Sequence, residues 1–246
     1  MAFCMGNFDS RFLPQRVKDA LSMTIPQYGV RFDGTNSAGI RTYDAAGMKW
    51  QRSSNAVAGD DDFANVAPFN VRECITQYDS TTGGRQVLAY KGDENWASLV
   101  ASKTGDRMIE IPCFWYYRPS KYEIIIAPEA KVGFKPSPAH YRNGVLKDVI
   151  RVSKYALNSN FVSQTGFAPR TSTNMNTFRS NLRAKGQYLM DYPTWCSLTM
   201  LMLVKYANMD IQNTVGFGWA NSSNTGSKTS GDTDSLLGLD GNPSGN

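Results

Sequence analysis

The stretch Gly105-Asp-Arg-Met-Ile-Glu-Ile-Pro-Cys-Phe-Trp-Tyr-Tyr constrains the fold of this chain more than any other. It opens on turn residues and then runs apolar and aromatic. Met108, Ile109, Ile111, Phe114, Trp115, Tyr116 and Tyr117 all favour an extended, pleated backbone. Pro112 interrupts the run. Lacking an N–H, it fits poorly in the middle of a ladder, so the stretch reads as an edge strand or as two short strands joined by a kink. The chain before it is polar and turn-rich, and the chain after it holds the best helices and most of the long apolar runs. The main domain is therefore expected to begin at about residue 105.

The chain has 246 residues, room for one large domain or two modest ones. Charged residues make up 19%, below the usual quarter, and Gly, Ser, Asn and Thr fill the gap, which suits loop-rich extended surfaces better than a helical bundle. The net charge is +5, but the basic residues are scattered and not interleaved with aromatics, so no nucleic-acid groove is expected. Cys4, Cys74, Cys113 and Cys196 form no CxxC pair and have no nearby histidine, which speaks against zinc and redox motifs. They are expected to be free, mostly buried thiols. Asp9 and Arg11 interrupt any apolar leader, and no window approaches the eighteen or so apolar residues of a membrane span. A soluble protein without membrane insertion or a cleaved signal is expected.

Three regions follow from the pattern. Residues 1–27 read as an N-terminal arm, with a short helix from Pro14 carrying Val17, Ala20 and Leu21. Residues 28–104 read as a turn-rich, mainly β attachment region. Its expected elements are strands at Tyr28 and Val71, a hairpin through Thr82-Gly83-Gly84, and a short helix from Asn95. Residues 105–246 read as the main domain. Strands are expected at Tyr122–Ala127, Val132–Phe134, Val149–Tyr155 and Val215–Trp219. One helix is capped by Asn174 or Asn176 and carries Phe178 and Leu182. A second is capped by Thr194 and runs to about Ala207. That second helix is apolar nearly all round, which predicts burial against a sheet. Residues 220–246 are Ser, Asn, Thr, Gly and Asp with little to bury. The fold class is α+β.

Chemistry-bearing patterns are thin. His140 is the single histidine, and the plainer reading is a satisfied structural side chain. Asp60-Asp61-Asp62 and Asp232-x-Asp234 do not match calcium-loop spacing and read as solvated loops. Glu110, Glu123, Asp148 and Asp191 could serve a glycosidase only as a facing pair, which spacing does not supply. The aromatics carry more. Trp115, Tyr116 and Tyr117 alternate faces in a strand, so at least one points outward, where Trp and Tyr stack on sugars and anchor protein contacts. Trp219 stands beside Asn221, Ser222 and Asn224, a paratope-like mixture of an aromatic with small adaptable polar residues. The candidate ligand-binding residues are thus Trp115, Tyr117, Trp219, Asn221, Ser222 and Asn224. No catalytic or metal-binding residue and no cofactor is expected.

The order of motifs resembles a family of bacteriophage tail proteins. Tyr28-Gly-Val-Arg-Phe-Asp-Gly-Thr-Asn and Arg41-Thr-Tyr-Asp-Ala-Ala-Gly-Met are similar to its start. Gly105-Asp-Arg-Met-Ile-Glu-Ile-Pro-Cys-Phe-Trp-Tyr resembles its Gly-Asp-Val-Met-Ile-Glu-Ile-Pro-Lys-Phe signature. Phe134–His140, Gly166-Phe-Ala-Pro, Phe178–Gly186 and the Trp195 helix followed by Gly216-Phe-Gly continue the order, so that the likeness covers about residues 28–235. The resemblance implies a C-type-lectin-like domain of the formylglycine-generating-enzyme variety. It also implies a non-enzymatic virion protein of tail or fibre that binds the bacterial host surface, a glycan or a protein receptor, alongside other virion proteins. A homotrimer is expected by analogy with tail fibres. The alternatives are a purely architectural virion adaptor and, third, an oxidase, which would need converging cysteines to hold copper. The family continues past the Gly/Ser-rich stretch into a Trp-Gly-Asn segment that displays variable residues. This sequence lacks it: either it stops short, or this member binds differently.

Overall fold

The computed structural model describes residues 25–53, 57–215 and 228–231. Helices and antiparallel sheets combine in an α+β fold. The strands are β1 (Tyr28–Arg31), β2 (Ile40–Tyr43), β3 (Arg72–Asp79), β4 (Gly84–Tyr90), β5 (Asp106–Pro112), β6 (Trp115–Ser120), β7 (Glu123–Ala127), β8 (Lys135–Pro136), β9 (Tyr141–Arg142), β10 (Val145–Leu146) and β11 (Val149–Ser153). The helices are α1 (Trp96–Ala101), α2 (Met175–Arg183), α3 (Tyr192–Tyr206) and α4 (Ile211–Val215). One sheet runs β2-β1-β7-β6-β8, a second runs β11-β5-β3-β4, and β9 and β10 form a separate hairpin.

Pro112 works as the kink. It is the last residue of β5, paired with Val149 of β11, at a point where β3 has already ended with Arg72 opposite Glu110. The missing donor is therefore outside the three-stranded part of the ladder. The Cys113 N–H resumes bonding to the Asp148 carbonyl at 2.7 Å, and the chain enters β6 in the other sheet. Neither strand is at an edge: β5 lies between β11 and β3, and β6 between β7 and β8. Phe114, at the corner, is fully buried and joins Ile111 of one sheet to Tyr28, Val30, Ile124 and Ile126 of the other in a single core.

The boundary drawn at residue 105 is crossed by both sheets. β1 pairs with β7 in the register Val30↔Ile124, and β3 pairs with β5 in the register Cys74↔Met108. Gly105 shows how close the approach is. Its φ is +69°, and a Cβ there would fall 2.7 Å from the Thr76 carbonyl oxygen, so only glycine fits without strain.

Helix α3 closes the core. Met200, Leu201 and Val204 are buried against β7 and β1. Its cap is Asp191, not Thr194: the Asp191 side chain accepts the Thr194 N–H at 3.0 Å, and Pro193 follows in the first turn, where its lost N–H costs nothing. The helix ends on Ala207 in the left-handed region, and the Ala207 carbonyl accepts the Gly39 N–H at 2.7 Å. Its apolar circumference is not buried all round. Tyr192 and Trp195 are 78% and 61% exposed on the face away from the sheets. In α2, the Asn174 side chain accepts the Thr177 N–H, Leu182 is buried, and Phe178 meets Phe161 edge-on. Val132-Gly133-Phe134, expected as a strand, is a turn into β8, with Gly133 at φ +84°. Val215 ends α4 and does not start a strand. The rest of that expected strand and the proposed helix at Pro14 lie outside the described residues.

Candidate functional site

Alternation along β6 sends Tyr116 to the core and Trp115 and Tyr117 to the opposite face of the five-stranded sheet. Gly29, Ile125 and Tyr117 stand side by side there, in register across β1, β7 and β6. A Cβ on Gly29 would lie 2.3 Å from Oγ1 of its cross-strand partner Thr42 and 2.9 Å from the Tyr43 ring, so the absent side chain makes room for Thr42 first and then for Tyr43. Ile125, though on the outer face, is buried in the row between Gly29 and Tyr117. Beyond Tyr117 the row continues with Phe134, whose ring centroid is 5.6 Å away at an interplanar angle of 39°. Tyr43 and Tyr117 are about half exposed. Trp115 is half-buried between Ala127 and Pro136. The outer face thus carries two exposed phenol rings, Tyr43 on one side and Tyr117 with its neighbour Phe134 on the other, separated by the buried Ile125, and these offer apolar faces for stacking and hydroxyls for hydrogen bonds.

Sequence reasoning named Trp115 and Tyr117; both lie on this outer face, Tyr117 exposed beside Phe134 and Trp115 half-buried. It missed Tyr43 and Phe134. A glycine in the middle of the alternating Tyr28–Phe32 run was the one signal for Tyr43, since such a gap marks a close approach. Trp219, Asn221, Ser222 and Asn224 lie outside the described residues.

The acids considered for glycoside chemistry are committed elsewhere. Glu110 Oε1 accepts from Arg72 Nη2 and Oε2 from Arg151 Nη2, both at 2.5 Å, while the Tyr90 hydroxyl donates to Oε2 at 3.1 Å. Burial pushes its pKa up, but the two guanidiniums and the phenol outweigh this and hold it below the usual carboxylate value. Asp191 caps α3 and takes a two-pronged contact from Arg142, which with the Thr194 bonds holds it well below the carboxylate range. Glu123 is half-buried in β7, across from Arg31. Asp148 lies close enough to Cys113 to help burial push that thiol up to about 11.

Asp61, expected to be solvated, instead bonds Lys205 at 2.6 Å near the end of α3 and accepts the Phe63 N–H. Asp232 and Asp234 lie outside the described residues. His140 is fully buried. Its Nε2 lies 3.2 Å from the Ile111 carbonyl oxygen, its ring meets Phe114 edge-on, and Nδ1 has no partner. Burial lowers its pKa, keeping it neutral. Cys74, Cys113 and Cys196 are free thiols; Cys74 is buried and the other two half-buried. Among the described residues no three His, Cys, Asp or Glu side chains gather to hold a metal, and no helix is long and apolar enough to cross a membrane.

Comparison with protein-family models, with curated proteins and with solved structures found no match.

Proposed function

We propose that this chain is a non-enzymatic structural protein of a bacteriophage virion, in tail or fibre, that recognises the bacterial host surface through a C-type-lectin-like domain. The observation that carries the reading is the exposed aromatic side chains on the outer face of the five-stranded sheet, Tyr43 and the Tyr117–Phe134 pair. Flat, partly exposed rings on a rigid sheet suit the apolar faces of sugars or an aromatic-seeking protein loop, and they hold no reacting group. The order of motifs from Tyr28 to the Trp195 helix supports the virion assignment. The site on each copy is small, so firm attachment would come from several copies acting together.

The test is binding of the purified full chain to a panel of bacterial cells and their isolated surface glycans. Binding that falls at least about tenfold in Tyr117→Ala and Tyr43→Ala, with unchanged stability, supports the reading. A chain that binds no cell or glycan but pulls down other virion proteins is an architectural adaptor, and the receptor reading fails.

A further inference from the structure

The β9–β10 hairpin turns on Asn143-Gly144, the one Asn-Gly step in the sequence. These two residues form the whole loop between Arg142 and Val145, which pair across the ladder. Both have positive φ, +51° and +79°, the signature of a type I′ turn. Asn tolerates this region and Gly enters it freely, so the local sequence dictates the turn. The same pair also sets a side-chain amide beside a main-chain nitrogen that no following side chain shields.

We propose that Asn143 is a site of spontaneous deamidation whose isoaspartyl product breaks this hairpin. The Gly144 nitrogen loses its proton and bonds Asn143 Cγ. The bond from Cγ to the side-chain nitrogen breaks, and ammonia leaves. Water then opens the succinimide. Cleaving the new bond to Cγ gives aspartate. Cleaving the original bond to the main-chain carbonyl carbon gives isoaspartate, with the main chain running through Cβ and Cγ.

Access is the first reason. Asn143 and Gly144 are both exposed, and among the described residues neither the Asn143 side chain nor the Gly144 N–H makes a hydrogen bond. A Cβ on Gly144 would meet nothing within 4 Å. Looseness is the second reason, because the turn must open for the nitrogen to reach Cγ. β9 and β10 pair only with each other, over two residue pairs, extended by the Lys147 N–H to the His140 carbonyl at 2.9 Å. So short a hairpin opens at little cost.

Contrast is the third reason. Asn36 Nδ2 donates to Asp33 at 2.9 Å, and Asn213 Nδ2 donates to Asp210 at 2.5 Å. Asn158 is buried, and its Oδ1 accepts the N–H groups of Asn160 and Val162. Each of these amides is tied down and followed by a residue with a side chain. The consequence at Asn143 is also local. Isoaspartate lengthens the loop backbone, so the two-residue turn no longer holds Arg142 opposite Val145. Arg142 is the partner of Asp191, so the contact that braces the α3 cap loosens with it. The proposal does not rest on the receptor reading.

The experiment is incubation of the full chain at neutral and mildly alkaline pH, with and without concentrated urea. Peptide mapping by mass spectrometry locates the converted residues, and enzymatic carboxyl methylation identifies isoaspartate. In the folded chain Asn143 should convert at least about tenfold faster than Asn36, Asn158 or Asn213, and within about tenfold of its own rate in urea. Gly144→Ala should slow the reaction at least about tenfold. Any loosening of the turn by that alanine would only ease access, so a slower rate reports shielding of the nitrogen. The isoaspartyl fraction, separated by chromatography, should melt below the parent. Asn143→Asp, which keeps a favoured turn pair, should melt with the parent. Folded-state conversion at Asn143 no faster than at the other three residues overturns the proposal, as does a rate that Gly144→Ala leaves unchanged. An isoaspartyl fraction that melts with the parent overturns the claim that the product breaks the hairpin.

Discussion

Replacing Glu110 with Gln should destabilise the protein by about 2–3 kcal/mol. The carboxylate is 3% exposed and faces Arg72 and Arg151, one from each flanking strand, with Tyr90 as a third donor. Removing one partner of a fully buried pair costs about 3–5 kcal/mol, because the other charge is left stranded. An exposed pair is worth about 0–1 kcal/mol. Here the Arg72 side chain is 59% exposed and that of Arg151 29% exposed, so one guanidinium regains water readily and the other in part. The expected cost therefore falls between the two limits. With a urea m-value of about 3 kcal/mol/M, the midpoint should drop by about 1 M at unchanged m. The pH sign is also determined. Because Glu110 is depressed in the folded state, its stabilisation is present above the unfolded carboxylate pKa of about 4.3 and is lost as pH falls through the lower folded value. Glu110→Gln should lack that acid-side loss. A midpoint shift below about 0.3 M at neutral pH would refute the account of a stranded Arg151.

Two further outcomes follow from single side chains. Asp191→Ala removes both the α3 cap and the Arg142 pair and should cost about 1–2 kcal/mol by urea unfolding, while Asp191→Asn, which can still cap, should cost less. His140 is buried neutral, so the unfolded chain takes up a proton at about pH 6.5 that the folded chain refuses. Stability should be flat above about pH 7 and fall by up to ~1.4 kcal/mol per pH unit below 6.5, and thermal melts of the parent against His140→Gln will show whether the slope belongs to this ring.

The local elements were legible because their signals are local. The alternation at Tyr28, the Thr82-Gly83-Gly84 turn, the Asn174 cap and the isoleucine run of β7 each state their own conformation within a few residues. Sheet partnership was not legible. Nothing near Val30 says that its neighbour is Ile124, nearly a hundred residues on, so the composition change at residue 105 read as a boundary when both sheets cross it. Helix α3 failed for a different reason. An apolar circumference reports that burial is possible, not which side receives it, and the sheets cover only the Met200–Val204 side. Its cap was misplaced because Asp191 and Thr194 are both good caps; Pro193, favoured in the first turn, should have decided for Asp191. Of the candidate site, the strand pattern could deliver Trp115 and Tyr117. Phe134 reaches Tyr117 from a turn whose sequence resembles a strand, and no periodicity marks such a contact.

The two sheets specify their register by different means. In the five-stranded sheet both faces of β7 are buried, Ile124 and Ile126 toward the main core and Ile125 and Ala127 on the other side, so its register rests on apolar packing. In the four-stranded sheet Glu73, Cys74, Ile75 and Thr76 are also buried in succession along β3, but two of these four are polar. Apolar alternation cannot fix its register. Charge can: Arg72, Glu110 and Arg151 are cross-strand partners, and Glu73 is held by Arg107 and Lys154. Buried ion pairs add little net stability over apolar packing, so our hypothesis is that these were retained to choose one alignment. The triple substitution Arg72→Met, Glu110→Met, Arg151→Met should then unfold within about 1 kcal/mol of the parent while β5 and β11 sample more than one pairing, seen as multiple or broadened amide resonances for Met108–Ile111. A single sharp set of resonances in the triple variant would show that apolar packing alone aligns this sheet, and the charges would then need another explanation.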